Sequence, residues 1–250
     1  FSILSGAIYI INDITDRKRD GFHPMKRFRP IPSGQLGLFP AGVASVMLSA
    51  AAIGAGYSIS PAFSLISALY LLANISYSFF LKQIILVDVL IISLGYVVRL
   101  AAGDSAAEAN TSPWLYGTVA SGALFIALGK RYSELTAAQE NASNQRGVLA
   151  HYSPQLLNQL VTLTGAFTLM AYALHTFTAP NLPANKSMML TIPFVVFGMF
   201  RYLYVLNTRS AGESPEVIFI KDVPLLCSII LWCIAGVLIL LFGLGGSASP

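Results

Sequence analysis

Charge is scarce in this chain. Asp, Glu, Lys and Arg make up only 10% of the residues, while 55% are apolar. A soluble domain carries about a quarter charged residues, so a surface exposed mainly to water is excluded. Cysteine is scarcer still. Cys227 and Cys233 both fall in the last apolar stretch, which excludes a disulfide framework and predicts two buried small hydrophobes. The three histidines, His23, His151 and His175, are scattered without ligand spacing, which excludes a zinc site. His23 sits in a basic loop where it either touches phosphate or has no role. The chain shows no basic start with a small-residue cleavage site, so no signal peptide is expected in it. Repeats, low-complexity tracts and domain linkers are also missing, and Asn141-Ala142-Ser143 reads as a chance triplet.

What is abundant is apolar length. Mean hydropathy is +0.68, and several stretches reach the roughly 18 to 20 residues that cross a bilayer core. Complete spans are expected at 36–58, 61–81, 84–103, 113–130, 156–179, 187–206 and 223–244, with Phe1 to Ile11 as the tail of another. The fold class expected is therefore all-α, a multi-span transmembrane helical bundle forming one domain over residues 1–250. The chain begins without Met inside an apolar run, so one more helix is expected to precede it.

The pI of about 9.1 could suggest nucleic acid, but topology accounts for it better. Thirteen of the fifteen Lys and Arg residues fall on alternate loops, and only Arg99 and Lys186 fall on the opposite side. The positive-inside rule places the rich side in the cytoplasm. A multi-pass protein of the cell (inner or plasma) membrane is expected, with no nucleic-acid partner. A homo-oligomer is compatible with these features. Three polar connections lie on the basic side, from Asp13 to Gln35, from Lys130 to about Pro154, and from Asn207 to Asp222. Polar loops converging on one face of a helical bundle are where a site belongs. The charges gather at that face rather than in mid-bilayer, which argues against a transporter or a non-catalytic scaffold.

Asn12-Asp13-Ile14-Thr15-Asp16-Arg17-Lys18-Arg19-Asp20 follows the first apolar run directly. On a helix, Asn12, Asp16 and Asp20 are spaced i, i+4, i+8, and Asp13 lies i+3 from Asp16. All four share one face. Like charges at that spacing repel, and a hard cation such as Mg2+ bridging to phosphate oxygens turns the repulsion into binding. The next segment, His23 to Gly34, holds Lys26, Arg27 and Arg29 between three prolines that stiffen it. Carboxylates for Mg2+ beside guanidinium forks suit a metal-bound polyanion better than the alternative, in which these cations only set topology or bind anionic lipid. Later, Gly129-Lys130-Arg131-Tyr132-Ser133-Glu134-Leu135 continues an apolar span. Arg131 and Glu134, at i, i+3, read either as a surface ion pair or as a second half of the site. Asp88, early in an apolar run, needs a partner, with Lys82 or Arg131 as candidates.

An apolar bundle carrying Asn-Asp-x-x-Asp-x-x-x-Asp after an early helix resembles the UbiA superfamily of intramembrane prenyltransferases. The resemblance implies nine helices, of which about eight are present here, and diphosphate binding through Mg2+ held by Asn12, Asp13, Asp16 and Asp20. In aromatic prenyltransferases of that family, a second Asp-rich cluster closes the sixth helix. Here that position reads Lys130, Arg131, Tyr132 and Glu134. With His23-Pro24-x-Lys26-Arg27-Phe28-Arg29-Pro30-Ile31 and Ala211-Gly212-Glu213 followed by Lys221-Asp222, this is similar to one branch, the decaprenyl-phosphate phosphoribosyltransferases.

That branch implies phosphoribosyl pyrophosphate as donor, a polyprenyl phosphate lipid as acceptor, Mg2+ as cofactor and a role in cell-wall precursor synthesis. The resemblance implies catalytic roles for Asp13, Asp16, Asp20, Lys130, Arg131 and Glu134. It implies substrate binding by Asn12, Lys26, Arg27, Arg29, Tyr77, Lys82, Tyr132 and Lys221. The long apolar helices would give the prenyl tail a lateral groove. The alternative is an aromatic prenyltransferase using a prenyl diphosphate in quinone or haem biosynthesis.

Overall fold

A computed structural model describes residues 1–22, 26–138, 147–208 and 215–243. Among them are nine α-helices and no strand. Eight are long: α1 (Ser2–Asp20), α2 (Leu38–Tyr57), α3 (Pro61–Phe79), α4 (Val87–Ala107), α5 (Pro113–Ala138), α6 (Pro154–Thr178), α7 (Ile192–Thr208) and α9 (Val223–Gly243). The helix α8 (Pro215–Lys221) has seven residues. Short 3-10 turns lie at Lys26–Phe28, Leu81–Gln83, Gly147–His151 and Ser187–Thr191.

Among the described residues, six helical segments are long and apolar enough to cross a membrane: Leu38–Tyr57, Pro61–Phe79, Val87–Ala107, Pro154–Thr178, Ser187–Thr208 and Val223–Phe242. Each agrees with an expected span. The expected span 113–130 forms a helix as well, but it falls short on composition. Tyr116, Gly117, Thr118, Ser121 and Gly122 dilute its apolar run, and Lys130 closes it. Large apolar side chains such as Phe39, Val46, Leu69, Leu163 and Leu241 are exposed on these helices. That outward apolar surface is what lipid, rather than water, solvates.

Helix starts follow from local chemistry. The Ser60 hydroxyl accepts the Phe63 N–H at 3.0 Å and Pro61 opens α3. The Ser153 hydroxyl accepts the Leu156 N–H at 3.1 Å and Pro154 opens α6. In both, a hydroxyl satisfies a donor the helix leaves open, and proline occupies a position that needs no N–H.

Two sequence expectations are corrected. The polar segments do not begin where the apolar runs end, because α1 continues to Asp20 and α5 to Ala138. The acidic motif is thus wholly helical. Cys227 and Cys233 are exposed on the outward face of α9 rather than buried. In a helix this apolar throughout, hydropathy does not distinguish the side facing protein from the side facing lipid.

The chain divides into two compact units. The first holds α1 to α4 with the turn Gly147–His151. Its core is Leu4, Ile8 and Tyr70, against which Phe1, Leu71 and Val98 pack. The second holds α5 to α9, with the Tyr202 ring stacked on Phe219 at 5.6 Å and tilted against Phe125 at 5.2 Å. Gly129 permits that arrangement: a Cβ there would stand 2.4 Å from the Tyr202 hydroxyl.

Candidate active site

The last two turns of α1 carry the acidic motif, and each of its carboxylates meets a cation. Arg29, from the proline-bounded segment after α1, donates from Nη1 to Asp13 Oδ1 at 2.7 Å and lies 3.7 Å from Asp20 Oδ2. Asp13 and Asp20 are seven residues apart, two turns on one face, so a single guanidinium bridges them. Asp20 is almost fully buried, whereas Arg29 is about half exposed. Asp16 is held from another side. Lys82 Nζ donates to its Oδ1 at 2.6 Å, and Arg19 Nη2 lies 2.7 Å from its Oδ2. Lys82 is buried, and it also reaches the Thr15 hydroxyl at 3.4 Å. A buried ammonium needs such a carboxylate to offset its lost hydration.

Asn12 completes the motif. Its side-chain oxygen accepts a hydrogen bond from the buried Ser78 hydroxyl of α3, which fixes the amide toward that helix. Tyr77, one residue earlier on α3, is half-buried. Arg27 is exposed, with its guanidinium 4.7 Å over the Phe28 ring, and Lys26 begins the same short turn. The first unit therefore brings together Asp13, Asp20 and Arg29, and separately Asp16, Lys82 and Arg19. Asp88 is fully buried in the first turn of α4.

In the second unit, Arg131 is buried and pairs with the partly exposed Glu134 one turn on. With its guanidinium buried, the pair is not the fully exposed surface bridge that the i, i+3 spacing also allowed. The Tyr132 hydroxyl donates to Asn207 Oδ1 at 3.3 Å, tying the end of α5 to α7. Lys130 is half-buried beside them. Lys221 is exposed at the end of α8, just before Asp222. Asp222 is buried, accepts both Nε and Nη2 of Arg201 at 2.9 Å, and caps α9 by accepting the Leu225 N–H at 3.1 Å. This clamp, which hydropathy and spacing do not reveal, fixes the turn that presents Lys221. His23 and the Ala211-Gly212-Glu213 triplet lie outside the described residues.

Among the described residues no three His, Cys, Asp or Glu side chains converge as a ready metal cage. Mg2+ does not require one, since it takes one or two carboxylates and fills its shell with phosphate oxygens and water. Asp13, Asp16 and Asn12 offer the hard oxygens it prefers, so the donor set fits. An anionic ligand would bring oxygens to share with the metal and would also draw on Arg29 and Lys82.

The second unit also holds an apolar cavity of about 320 Å³ lined by Phe125, Tyr172, Phe194, Met199, Tyr202 and Trp232, among others. Its polar edge is a buried relay: Trp232 Nε1 donates to the Tyr172 hydroxyl at 2.7 Å, which lies 2.6 Å from the Thr191 hydroxyl.

Residues 1–223 match the UbiA prenyltransferase family. The chain belongs to that family. It is 31% identical over 222 residues to a decaprenyl-phosphate phosphoribosyltransferase of Mycobacterium tuberculosis, covering 89% of this chain and 73% of that protein. It is 32% identical over 233 residues to the decaprenyl-phosphate phosphoribosyltransferase of Mycolicibacterium smegmatis, covering 89% and 72%. In fold it is similar to a UbiA homolog from Archaeoglobus fulgidus bound to GPP and Mg2+, with a TM-score of 0.74 and 18% identity. That match covers 96% of this chain and 84% of the other. The all-α expectation and the family resemblance are both borne out, and the chain is an integral membrane transferase of the UbiA family.

Proposed function

We propose that this transferase moves a 5-phosphoribosyl group from phosphoribosyl pyrophosphate to a polyprenyl phosphate, releasing pyrophosphate, with Mg2+ and at the cytoplasmic membrane face. The observation that carries the reading is the charge balance. The acidic helix is interlocked with Arg29 and Lys82, and the last turns of α5 carry Lys130 and Arg131 with a single carboxylate, Glu134. A donor with pyrophosphate and a 5-phosphate, plus a phosphate acceptor, brings more negative charge than one metal offsets. Cations at both positions compensate for it.

In this reading Asp13 and Asp16 hold Mg2+, with Asn12 and Asp20 orienting or completing the set. Bound there, the metal supplies Lewis-acid stabilisation of the charge growing on the leaving pyrophosphate. Arg29, Lys26 and Arg27 bind donor phosphate, and Lys82 holds the Asp16 carboxylate in its orientation. Lys130, Arg131 and Lys221 bind phosphate of donor or acceptor, while Glu134 fixes the Arg131 fork. Tyr77 and Tyr132 orient ribose or phosphate. As the bond from ribose C1 to the pyrophosphate oxygen breaks, one from C1 to a lipid phosphate oxygen forms. The acceptor is already an anion near neutral pH, so no base is needed to activate it. The apolar cavity of the second unit suits part of the prenyl tail.

The test supplies ribose-labelled phosphoribosyl pyrophosphate, polyprenyl phosphate and Mg2+ to the purified protein. Label entering the lipid phase with stoichiometric pyrophosphate release supports the assignment. Label remaining in water, from protein that stays folded, contradicts it.

A further inference from the structure

We infer that a cavity on one flank of α1 is a seat for a phosphate monoester, and that His151 and Gln83 help to bind it. The cavity, about 600 Å³, is lined by Thr15, Asp16, Lys18 and Arg19 of α1, by Ser78, Phe79, Lys82 and Gln83, and by Val148 and His151. Its lining combines distant parts of the sequence, because the turn Gly147–His151 packs beside the turn Leu81–Gln83. His151 looked isolated in the sequence and yet stands in the same cavity as the central carboxylate of the motif.

The charges decide what the cavity takes. Asp16 is its one carboxylate, and both of its oxygens already meet cations, Lys82 at 2.6 Å and Arg19 at 2.7 Å. With Lys18, three permanent cations face one anion, whatever the protonation of His151. The surplus is positive, and such a site accepts an anion. Asp13 and Asp20, which meet Arg29, do not line it. Asp16 thus stands between the carboxylates that meet Arg29 and a cationic space suited to phosphate, so a phosphate seated there would lie beside the proposed metal site.

The terminal oxygens of a phosphate monoester accept several charge-assisted hydrogen bonds at once. Lys18, Arg19, Gln83 and His151 supply donors of the right kind around one space. The proposed reaction offers two such groups, the 5-phosphate of the donor and the head of the lipid acceptor, and in that respect the inference rests on the proposed function. Phe79, exposed on the rim, is compatible with either.

Binding is measured on the full chain in lipid nanodiscs, without Mg2+, using ribose 5-phosphate and a short polyprenyl phosphate as separate probes. His151, Gln83 and Lys18 are exposed, so His151→Ala, Gln83→Ala and Lys18→Gln leave the fold intact, which thermal unfolding checks. The His151→Ala/Gln83→Ala double variant should weaken one probe about tenfold or more, with His151→Gln restoring part of the loss. Mg2+-pyrophosphate binding should stay within about twofold. The probe that weakens identifies which phosphate sits there. Unchanged affinity for both probes would overturn the seat. His151-dependent phosphate binding without lipid product from phosphoribosyl pyrophosphate would instead fail the proposed function and leave the seat standing.

Discussion

Lys82 Nζ lies 2.6 Å from Oδ1 of Asp16, joining residues 66 positions apart in the sequence. Both side chains are largely withdrawn from water. The pair locks the turn Leu81–Gln83 after α3 to the acidic end of α1, so the motif's central carboxylate is placed by tertiary structure as well as by helix geometry.

Removing one member of that pair should be worse than removing both. Lys82→Met leaves Asp16 with Arg19 alone and should cost about 3 kcal/mol of stability, the lower end for broken buried pairs. Lys82→Met/Asp16→Asn should cost less than Lys82→Met alone, and so well under the sum of the single changes. Thermal unfolding of the four proteins in one detergent measures the coupling, and strict additivity would show the pair to be energetically idle.

Arg29 presents the opposite balance. It is about half exposed, so Arg29→Ala should change stability by no more than about 1 kcal/mol. Its loss should nevertheless raise donor KM about tenfold or more, since the guanidinium spanning Asp13 and Asp20 would be gone. Arg29→Lys should recover little, because one ammonium cannot reproduce the fork. Steady-state kinetics beside unfolding curves separates the two effects.

The Arg201–Asp222 clamp separates capping from ion pairing. Asp222→Asn keeps a good N-cap for α9 and loses the charge pair, whereas Asp222→Ala loses both. The alanine variant should be about 1 kcal/mol less stable than the asparagine variant. Equal midpoints in chemical denaturation would remove the cap from the account.

Gly129→Ala should destabilise by about 1–3 kcal/mol, because its methyl group would have to displace the Tyr202 hydroxyl. Tyr202→Phe removes the oxygen in the way. The double variant should therefore recover part of the loss, since the ring carbons would remain 3.2 Å from the new methyl group. No recovery would mean that the glycine is needed for another reason.

Much of this was legible in the sequence because a membrane imposes long apolar helices and gathers charge at their ends. The spans over α2, α3, α4, α6, α7 and α9 follow from apolar length alone. The span at α5 is less legible because its small and hydroxyl residues dilute the signal. The shared face of Asn12, Asp13, Asp16 and Asp20 follows from the helical period. Partners set by tertiary packing were not legible. Nothing local links Lys82 to Asp16, Arg201 to Asp222, or His151 to the cavity beside α1. The outward exposure of Cys227 and Cys233 was hidden for a different reason: an all-apolar helix has no polar face to orient it.

The most direct measurement is a competition of donors in one preparation. Protein in nanodiscs is given ribose-labelled phosphoribosyl pyrophosphate with polyprenyl phosphate, and in parallel a labelled prenyl diphosphate with 4-hydroxybenzoate, each with and without Mg2+. The account predicts a Mg2+-dependent labelled lipid only from the first pair, abolished by Asp13→Ala and by Asp16→Ala. A prenylated aromatic product from the second pair, with none from the first, would contradict it.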